Sequence, residues 1–473
     1  MRLAVVGGGI AGLAAAHRAA ELARERGDAL TLTLIEAADR LGGTIQTERR
    51  DGFLVECGPD SFLSEKPWAL ALCGRIGVED RLVRTDDRHR RTYVAWRGRL
   101  HPLPDGFQLL APTRLGPFLS SRLFSWPGKL RMGLDLVLPR GGDADESLGA
   151  FVRRRLGREA LERVAQPLVA GIYTADPGEL SLAATMPRFA ELERRERSLI
   201  LGLWRARRRA PAEAAGASGA RWSLFVTFAD GMEELIRAVA ARLPAGAVRL
   251  KERVTEVARE GDGWKIATRD GAALCADAVI LAPEAHQSAR ILRYLDPSLA
   301  LLLEGIPYAS SATVTLAYRR AAIRHALDGF GFVVPAAERR PIIACTFSIV
   351  KYPGRAPDGY VLLRLFAGGA LNEAVVARED DELVGLARAQ IEELLGAEGD
   401  PLWTRVVRYP KAMPQYHVGH LARADAIERA VARHPGLALA GGAYRGVGIA
   451  DCVRSGEEAA SRLLDRLGER RAG

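Results

Sequence analysis

The chain has 473 residues, 48% of them hydrophobic and 26% charged, and a net charge of +9. This length predicts two or three domains with a sizeable core, and the composition excludes wholesale disorder. The positive charge, carried mostly by arginine, lacks an aromatic-plus-basic module, so a nucleic-acid partner is not expected; anionic lipid or a polycarboxylate substrate suits it better.

No apolar run approaches the ~18 residues of a membrane span. Met1-Arg2 leads directly into a strand, so no signal peptide is expected. These features predict a cytoplasmic protein, with peripheral contact on the inner face of the cell membrane as an extension. Cys57, Cys73, Cys275, Cys345 and Cys452 are scattered with no CxxC pair. A disulfide framework and a metal site are therefore not expected.

Leu3 to Val6 read as a buried strand. Gly7, Gly8, Gly9 and Gly12 follow, then an alanine-rich helix from Ala11 to Arg26 and a second strand, Leu30 to Ile35, closing at Glu36. This is a β-α-β unit. Two glycine-punctuated loops come next, Arg40-Leu41-Gly42-Gly43-Thr44 and Gly58-Pro59-Asp60-Ser61. Residues 93–104 predict a hairpin turning at Arg97-Gly98. From 113 to 210 the pattern turns helical. Within 106–140, Phe107, Leu109, Leu110, Leu115, Phe118, Leu119, Leu123, Phe124 and Trp126 interleave with Arg114, Arg122, Lys129 and Arg131. That pattern suits a membrane-surface element or an ordinary helical core.

Residues 211–220 read as a flexible loop. Thr227 to Met232 open a helix to Leu243. Val248 to Val257, Trp264 to Thr268 and Ala278 to Leu281 are predicted strands, and 295–410 read as a mostly antiparallel sheet with helices. Leu437 to Ala440 form a last strand. Gly441, Gly442, Gly446 and Gly448 then precede a terminal helix from Cys452 to Leu467.

Gly7, Gly9 and Gly12 form the dinucleotide fingerprint: a tight turn, an open path for the pyrophosphate, and close helix–strand packing. Ile10 and Ala11 lie in the first helical turn, whose free N–H groups and dipole favour phosphate. Glu36 lies 24 residues beyond Gly12, beside Ala37. It is placed to accept from ribose hydroxyls and to repel a 2′-phosphate. Arg40, Gly42 and Gly43 suit a second approach to a dinucleotide. A second glycine-rich helix start, at Val447, Gly448 and Ile449, adds another dipole that stabilises a reduced flavin. Two such helix starts around one cofactor point to FAD rather than NAD.

These elements resemble the amine-oxidase-like FAD superfamily, and within it the oxygen-dependent protoporphyrinogen and coproporphyrinogen oxidases. The resemblance spans nearly the whole chain. It is carried by the fingerprint, by Gly58 to Leu63, Ala170-Gly171-Ile172-Tyr173 and Leu180-Ser181, by Pro414-Gln415-Tyr416 with Gly419-His420, and by Tyr444 to Cys452. One departure is Thr174-Ala175-Asp176, where the family more often reads Ala-Gly-Asp.

The resemblance implies an α/β fold: a discontinuous Rossmann-like FAD-binding domain (1–70, 225–290, 415–473), a mixed α+β substrate domain (71–112, 291–414) and a helical, membrane-contacting subdomain (113–224). It implies six-electron oxidation of protoporphyrinogen IX to protoporphyrin IX by FAD and O2, with H2O2 released, in haem biosynthesis. Coproporphyrinogen III is the alternative substrate, and a ferrochelatase the implied acceptor of product. FAD would lie along Gly7, Gly9, Ile10, Ala11, Gly12, Glu36, Ala37, Arg40, Gly42, Gly43, Thr44, Gly58, Pro59, Asp60, Ser61, Val254, Tyr409, Val447, Gly448 and Ile449. The resemblance also implies a carbonyl at Gly171 facing the ring nitrogens and a propionate-binding Arg90 or Arg91; a solvated basic loop is the other reading of those arginines. Phe332 and Phe366 are candidate apolar clamps. Amine or polyene oxidation and a non-catalytic FAD-binding scaffold remain the competing functions.

Overall fold

The computed structural model describes residues 1–86, 89–108, 111–142, 144–209 and 224–472; Leu109, Leu110 and the predicted loop 211–220 lie outside the described residues. Strand β1 (Arg2–Val6) is the middle of a five-stranded parallel sheet. Strand β2 (Thr31–Ile35) and Val248–Arg249 lie on one side of it, Ala278–Leu281 and Leu437–Leu439 on the other. Leu3, Ala4 and Val5 are fully buried, as expected for a parallel strand covered on both faces.

Helix α1 (Ile10–Arg26) packs on one face and ends at Gly27, which takes the left-handed conformation. Its small alanines let the terminal helix Ile449–Ala472 approach closely. A Cβ on Gly456 would lie 2.1 Å from the Ala11 carbonyl oxygen.

The stretch expected as one strand, Val248 to Val257, is two. Val248–Arg249 joins the parallel sheet, whereas Val254–Glu260 starts an antiparallel flap with Gly263–Thr268 and Ala273–Ala276. The break falls at Lys251, with φ at +62°. There Lys251 N–H donates to Ala38 O and Glu252 N–H donates to Glu36 O, so the chain bends to follow the end of β2.

The second sheet has seven strands in the order Trp403–Pro414, Tyr308–Arg319, Tyr360–Gly368, Ile342–Phe347, Gly331–Val333, Thr92–Trp96 and Arg99–Pro102. Only the contact of Gly331–Val333 with Thr92–Trp96 is parallel. The predicted hairpin turn sits at Arg97 and Gly98, both at positive φ. One face of this sheet packs under helix Asp380–Leu395. The other packs on helices between Leu115 and Arg209.

Packing draws the unit boundaries differently from the sequence. Leu72, Cys73, Ile76 and Leu82 join the core of β1 and α1 rather than the antiparallel sheet. Leu299 and Leu303, in helix Pro297–Glu304, pack with Trp264 and Val279 on the parallel sheet and its flap.

The helical region shares its core with one face of the seven-stranded sheet: Phe118, Leu123, Phe124 and Met132 are buried in one cluster with Val94, Val333 and Ala344. Its anchor is the fully buried pair Arg155–Asp135. Arg155 donates to Asp135 Oδ1 at 2.6 Å and to the carbonyls of Asp135, Pro139 and Arg197, while Ser198 Oγ and Ile200 N donate to Asp135 Oδ2. Such a pair is tolerated because every polar atom is satisfied. The same region leaves Leu115, Leu119, Trp126, Leu130, Leu134, Leu136 and Val137 exposed. No helix of the described residues is long and apolar enough to cross a membrane.

Candidate functional site

The fingerprint loop is built from local contacts. Gly7 has φ at +98°, and a Cβ on Gly12 would lie 1.9 Å from Gly7 O, so both glycines are required by the fold itself. Gly9 differs. Its backbone (φ −69°, ψ 176°) suits any residue, and a Cβ there would meet nothing within 4 Å. Helix α1 starts at this point with no side-chain cap and no acidic residue in its first turn. The protein therefore offers uncapped N–H groups over an open space, which fits a pyrophosphate.

Glu36 divides its carboxylate between Gly8 N–H at 2.6 Å and Ala38 N–H at 2.7 Å, beside exposed Ala37. The next loop is bonded to the first: Gly42 N–H donates to Gly8 O at 2.8 Å. Arg40 curls around its own loop, donating to the carbonyls of Leu41, Gly43 and Ile45. Gly43 and Thr44 are left exposed.

Gly58 stacks on this second loop, since a Cβ there would lie 1.7 Å from Thr44 O. Pro59, Asp60 and Ser61 continue from it, partly buried. Tyr409 donates its hydroxyl to Cys57 O. Lys351 Nζ sits 2.8 and 2.9 Å from the two Asp60 oxygens. Burial alone would raise the Asp60 carboxyl, but Lys351 and Arg364 outweigh it and hold the group down at about 2. Val254 begins the flap beside the end of β2, close behind the Glu252–Glu36 contact.

The C-terminal glycine loop is built from distant side chains. Tyr416 donates its hydroxyl to Gly442 O at 2.6 Å and accepts from Gly446 N–H at 2.7 Å. His420 stacks on the Tyr416 ring with centroids 3.8 Å apart and bonds Tyr444 O through Nε2 at 2.8 Å. Gly441 N–H donates to Ser455 Oγ, and Lys66 bonds Asp451 at 2.5 Å. The terminal helix starts at Ile449, three residues earlier than expected, so Asp451 and Cys452 lie in its first turn just after Val447 and Gly448. Burial pushes the Cys452 thiol up to about 12, which keeps it un-ionised.

The segment that braces this loop also reaches the helical region. Gln415 Nε2 donates to Tyr173 O at 3.2 Å, and Ser181 N–H donates to Tyr416 O at 2.7 Å. Gly171 lies on the last turn of helix Gln166–Tyr173, exposed beside Ile172. This turn follows a π-helical stretch, Leu161–Ala165, placed just before Pro167, whose missing N–H disturbs the regular ladder. The helix ends at Thr174 with φ at +49°. The strained residue is thus Thr174 and not Ala175, where the family more often has glycine.

A Cβ on Gly171 would meet Val333 at 3.8 Å. Val333, Phe366 and Val447 pack around the same apolar cluster. Phe332, expected as a clamp, faces the other way, buried against Phe347 in the core under helix Asp380–Leu395. Strand alternation sets this: neighbours on Gly331–Val333 point to opposite faces.

Arg91 is also on the wrong face for its expected role. It shares the side of Tyr93, donating to Asp328 Oδ2 at 2.6 Å and to the Tyr93 hydroxyl, whereas Val94 belongs to the cluster that includes Val333. Arg90 is exposed ahead of the strand. Lys351 and Arg364 are the charged residues that sequence reasoning passed over. No motif flags them, because their partners lie some 300 positions away.

A model of the flavin-containing amine oxidoreductases matches residues 10–464. The chain belongs to that family. It is an FAD-dependent oxidoreductase, and its open Gly9 and uncapped helix start would fit the cofactor's pyrophosphate. It is 39% identical to the coproporphyrinogen III oxidase of Propionibacterium freudenreichii subsp. freudenreichii, over 98% of this chain and 90% of that one. It is 36% identical to the coproporphyrinogen III oxidase of Bacillus subtilis (strain 168), over 98% of each. A crystal structure from Exiguobacterium sp. 255-15, provisionally named a protoporphyrinogen oxidase, superposes with a TM-score of 0.85 at 32% identity, over 98% of this chain and 99% of that one.

Proposed function

We propose that the protein oxidises a porphyrinogen to the porphyrin, with coproporphyrinogen III as substrate and O2 as final acceptor. One observation carries the reading. The Gln415–Tyr416 segment braces the C-terminal glycine loop with one side chain and the backbone of Tyr173 with the other. A flavin-side loop and an apolar shelf at Gly171, Val333 and Phe366 are thereby built as one unit. The substrate class follows the relatives: those of Propionibacterium freudenreichii and Bacillus subtilis, at 39% and 36% identity, are named for coproporphyrinogen III, and the Exiguobacterium structure, at 32%, for protoporphyrinogen.

FAD supplies the two-electron oxidising capacity, used three times per macrocycle. Gly7, Gly9, Ile10, Ala11 and Gly12 would hold its pyrophosphate and Glu36 its ribose. Gly42 to Thr44, Gly58 to Ser61, Tyr409 and Val447 to Ile449 would line the rest, and Val254 would close the adenine side. The shelf would orient an apolar macrocycle, with the Gly171 carbonyl toward its N–H groups. The chain's part is positioning, because forming an aromatic ring already favours the reaction. Arg90 is the remaining candidate of its pair for a substrate carboxylate.

Anaerobic mixing with each porphyrinogen tests this. Coproporphyrinogen III is expected to bleach the flavin absorbance and to yield fluorescent porphyrin. Bleaching by protoporphyrinogen IX alone would reverse the substrate choice, and bleaching by neither would overturn the function.

The exposed apolar row from Leu115 to Val137, flanked by Arg114 and Arg122, supports peripheral contact with an anionic membrane surface. Co-sedimentation with phosphatidylglycerol vesicles, lost in Trp126→Ser/Leu130→Ser, is the expected result; no sedimentation of the wild type would remove this reading. A ferrochelatase, the implied consumer of the product, would be tested by transfer of porphyrin between the two proteins.

A further inference from the structure

Behind the Gly58–Ser61 loop lies a buried cluster of charged and polar side chains that the reading above leaves without a role. Lys351 pairs with Asp60 and also approaches Ser61 Oγ at 3.4 Å. Arg355, 3% exposed, lies 4.0 Å from buried Glu56 and donates to Thr227 Oγ1 and Phe228 O. Arg364, 5% exposed, donates through Nη2 to Cys57 O at 2.9 Å and Gly58 O at 2.5 Å. Its guanidinium lies 4.8 Å from the centre of the Phe366 ring.

Arg364 is unlike the other two cations. Among the described residues it has no carboxylate at ion-pair distance, and its buried Nε has no partner. The hydroxyl of Tyr352 nearby is also buried without a partner. Both residues line a small cavity of about 10 Å³ with Glu56, Asp60, Thr315 and Arg355, about the room one water needs. Two buried arginines and the partly buried Lys351 thus face two carboxylates, Glu56 and Asp60. A buried cation is costly unless something repays it, and carbonyl contacts repay it only in part.

We propose that Arg364 is a positioning residue for the flavin: its charge, set behind the Gly58–Ser61 loop with no carboxylate at ion-pair distance, favours the reduced, anionic form of the cofactor. The proposal rests on the reading that this loop lines FAD. Opposite charges at such depth interact more strongly than in water, because the surroundings are less polarisable. The charge is fixed in place before reaction, so no reorganisation is needed when the flavin gains electrons. Asp60, paired with Lys351 and held ionised by Arg364 as well, acts in the opposite direction. The loop is therefore tuned by Arg364 on the seven-stranded sheet, the same sheet that carries Phe366 and Val333 to the shelf, and by Lys351 at the end of the short helix that follows one of its strands.

The test is the midpoint potential of the holoenzyme, measured by dye equilibration together with flavin content. Arg364→Met, which keeps the length and removes the charge, is expected to lower the reduced-to-oxidised ratio about tenfold at fixed potential, or about 30 mV for a two-electron couple. Arg364→Lys is expected to stay near the wild type. Asp60→Asn is expected to move the ratio the other way, and Lys351→Met to move it the same way as Arg364→Met. Should Arg364→Met not fold, the Lys351→Met and Asp60→Asn pair decides by their opposite signs. A wild-type potential in flavin-replete Arg364→Met, with Asp60→Asn shifted, would overturn the role of Arg364 alone. Wild-type potentials and spectra in all four variants would show that the loop does not line the flavin, and the inference would fall with that reading.

Discussion

The two glycine-rich helix starts look alike in sequence and are made in opposite ways. The loop at Gly7 to Gly12 is self-contained: its bonds run to Ile35, Glu36 and Gly42, all within the first few dozen residues. The loop at Gly441 to Gly448 takes its shape from Tyr416, His420, Ser455 and, through Asp451, Lys66, whose bond spans 385 positions. One is specified by backbone conformation and the other by tertiary contacts. The first should therefore be broken by a single Cβ, and the second should be tunable from a distance.

The largest expected effect is at Gly9. Nothing in the protein opposes a side chain there, so Gly9→Val should fold with an unchanged far-ultraviolet circular dichroism spectrum and retain almost no flavin. Flavin content near that of the wild type would show that the pyrophosphate lies elsewhere.

Tyr416→Phe should come next. It removes two hydrogen bonds from the second loop and leaves Gly446 N–H and Gly442 O to find water, a loss of about 1–3 kcal/mol. An increase of about tenfold in the Kd for FAD, measured by fluorescence titration of the apoprotein, would fit; an unchanged Kd would mean that the brace does not reach the cofactor.

Acidity should act on the second loop through His420. His420 is held below its usual imidazole range, chiefly by burial and also by Arg423, Arg445 and His417, although its bond to Tyr444 O works the other way. The unfolded chain takes up a proton near pH 6.5 while the folded one resists it. The stability linked to His420 is therefore complete above that pH and declines as pH falls below it. The Tm between pH 8 and 5 should fall less steeply in His420→Asn than in the wild type; parallel slopes would remove this contribution.

The smallest effect is expected at Lys66. Its side chain is 40% exposed, and solvent screens such pairs to about 1 kcal/mol or less. Lys66→Ala should weaken flavin binding only a few-fold, since the buried Asp451 keeps Arg454 at 3.7 Å. A loss as large as that of Tyr416→Phe would show that the pair, and not the hydroxyl, holds the loop.

The same contrast explains what the sequence could reveal. β1, α1, β2 and the turn between them were legible because strand, glycine and helix signals are local and agree with one another. The Arg97-Gly98 hairpin was legible for the same reason. The flap at Val254 was fused with its neighbour because the break at Lys251 answers to Ala38 and Glu36, not to its own residue type. Phe332 and Val333 could not be told apart as cavity residues, since a three-residue strand carries too little alternation to set its face. Arg91 suffered from the same ambiguity until Asp328 and Tyr93 fixed its side. Lys351 and Arg364 stayed invisible because isolated cations in a strand-rich segment carry no pattern; only the Gly58–Ser61 loop gives them meaning.

The central position of β1 has a further consequence, for synthesis. Arg2 N–H bonds the Asp277 carboxylate across 275 positions, and Leu437–Leu439 completes the same sheet still later. A chain emerging from the ribosome therefore carries β1 and β2 with the outer edge of β2 unpaired until Val248–Arg249 arrives and the edge of β1 until Ala278–Leu281, and helix α1 without the Gly456 contact until the terminal helix is made. Pairing over such separations is slow, and an open strand edge invites other chains. Shielding of the nascent chain by a chaperone would be most valuable during that interval, before any flavin can bind.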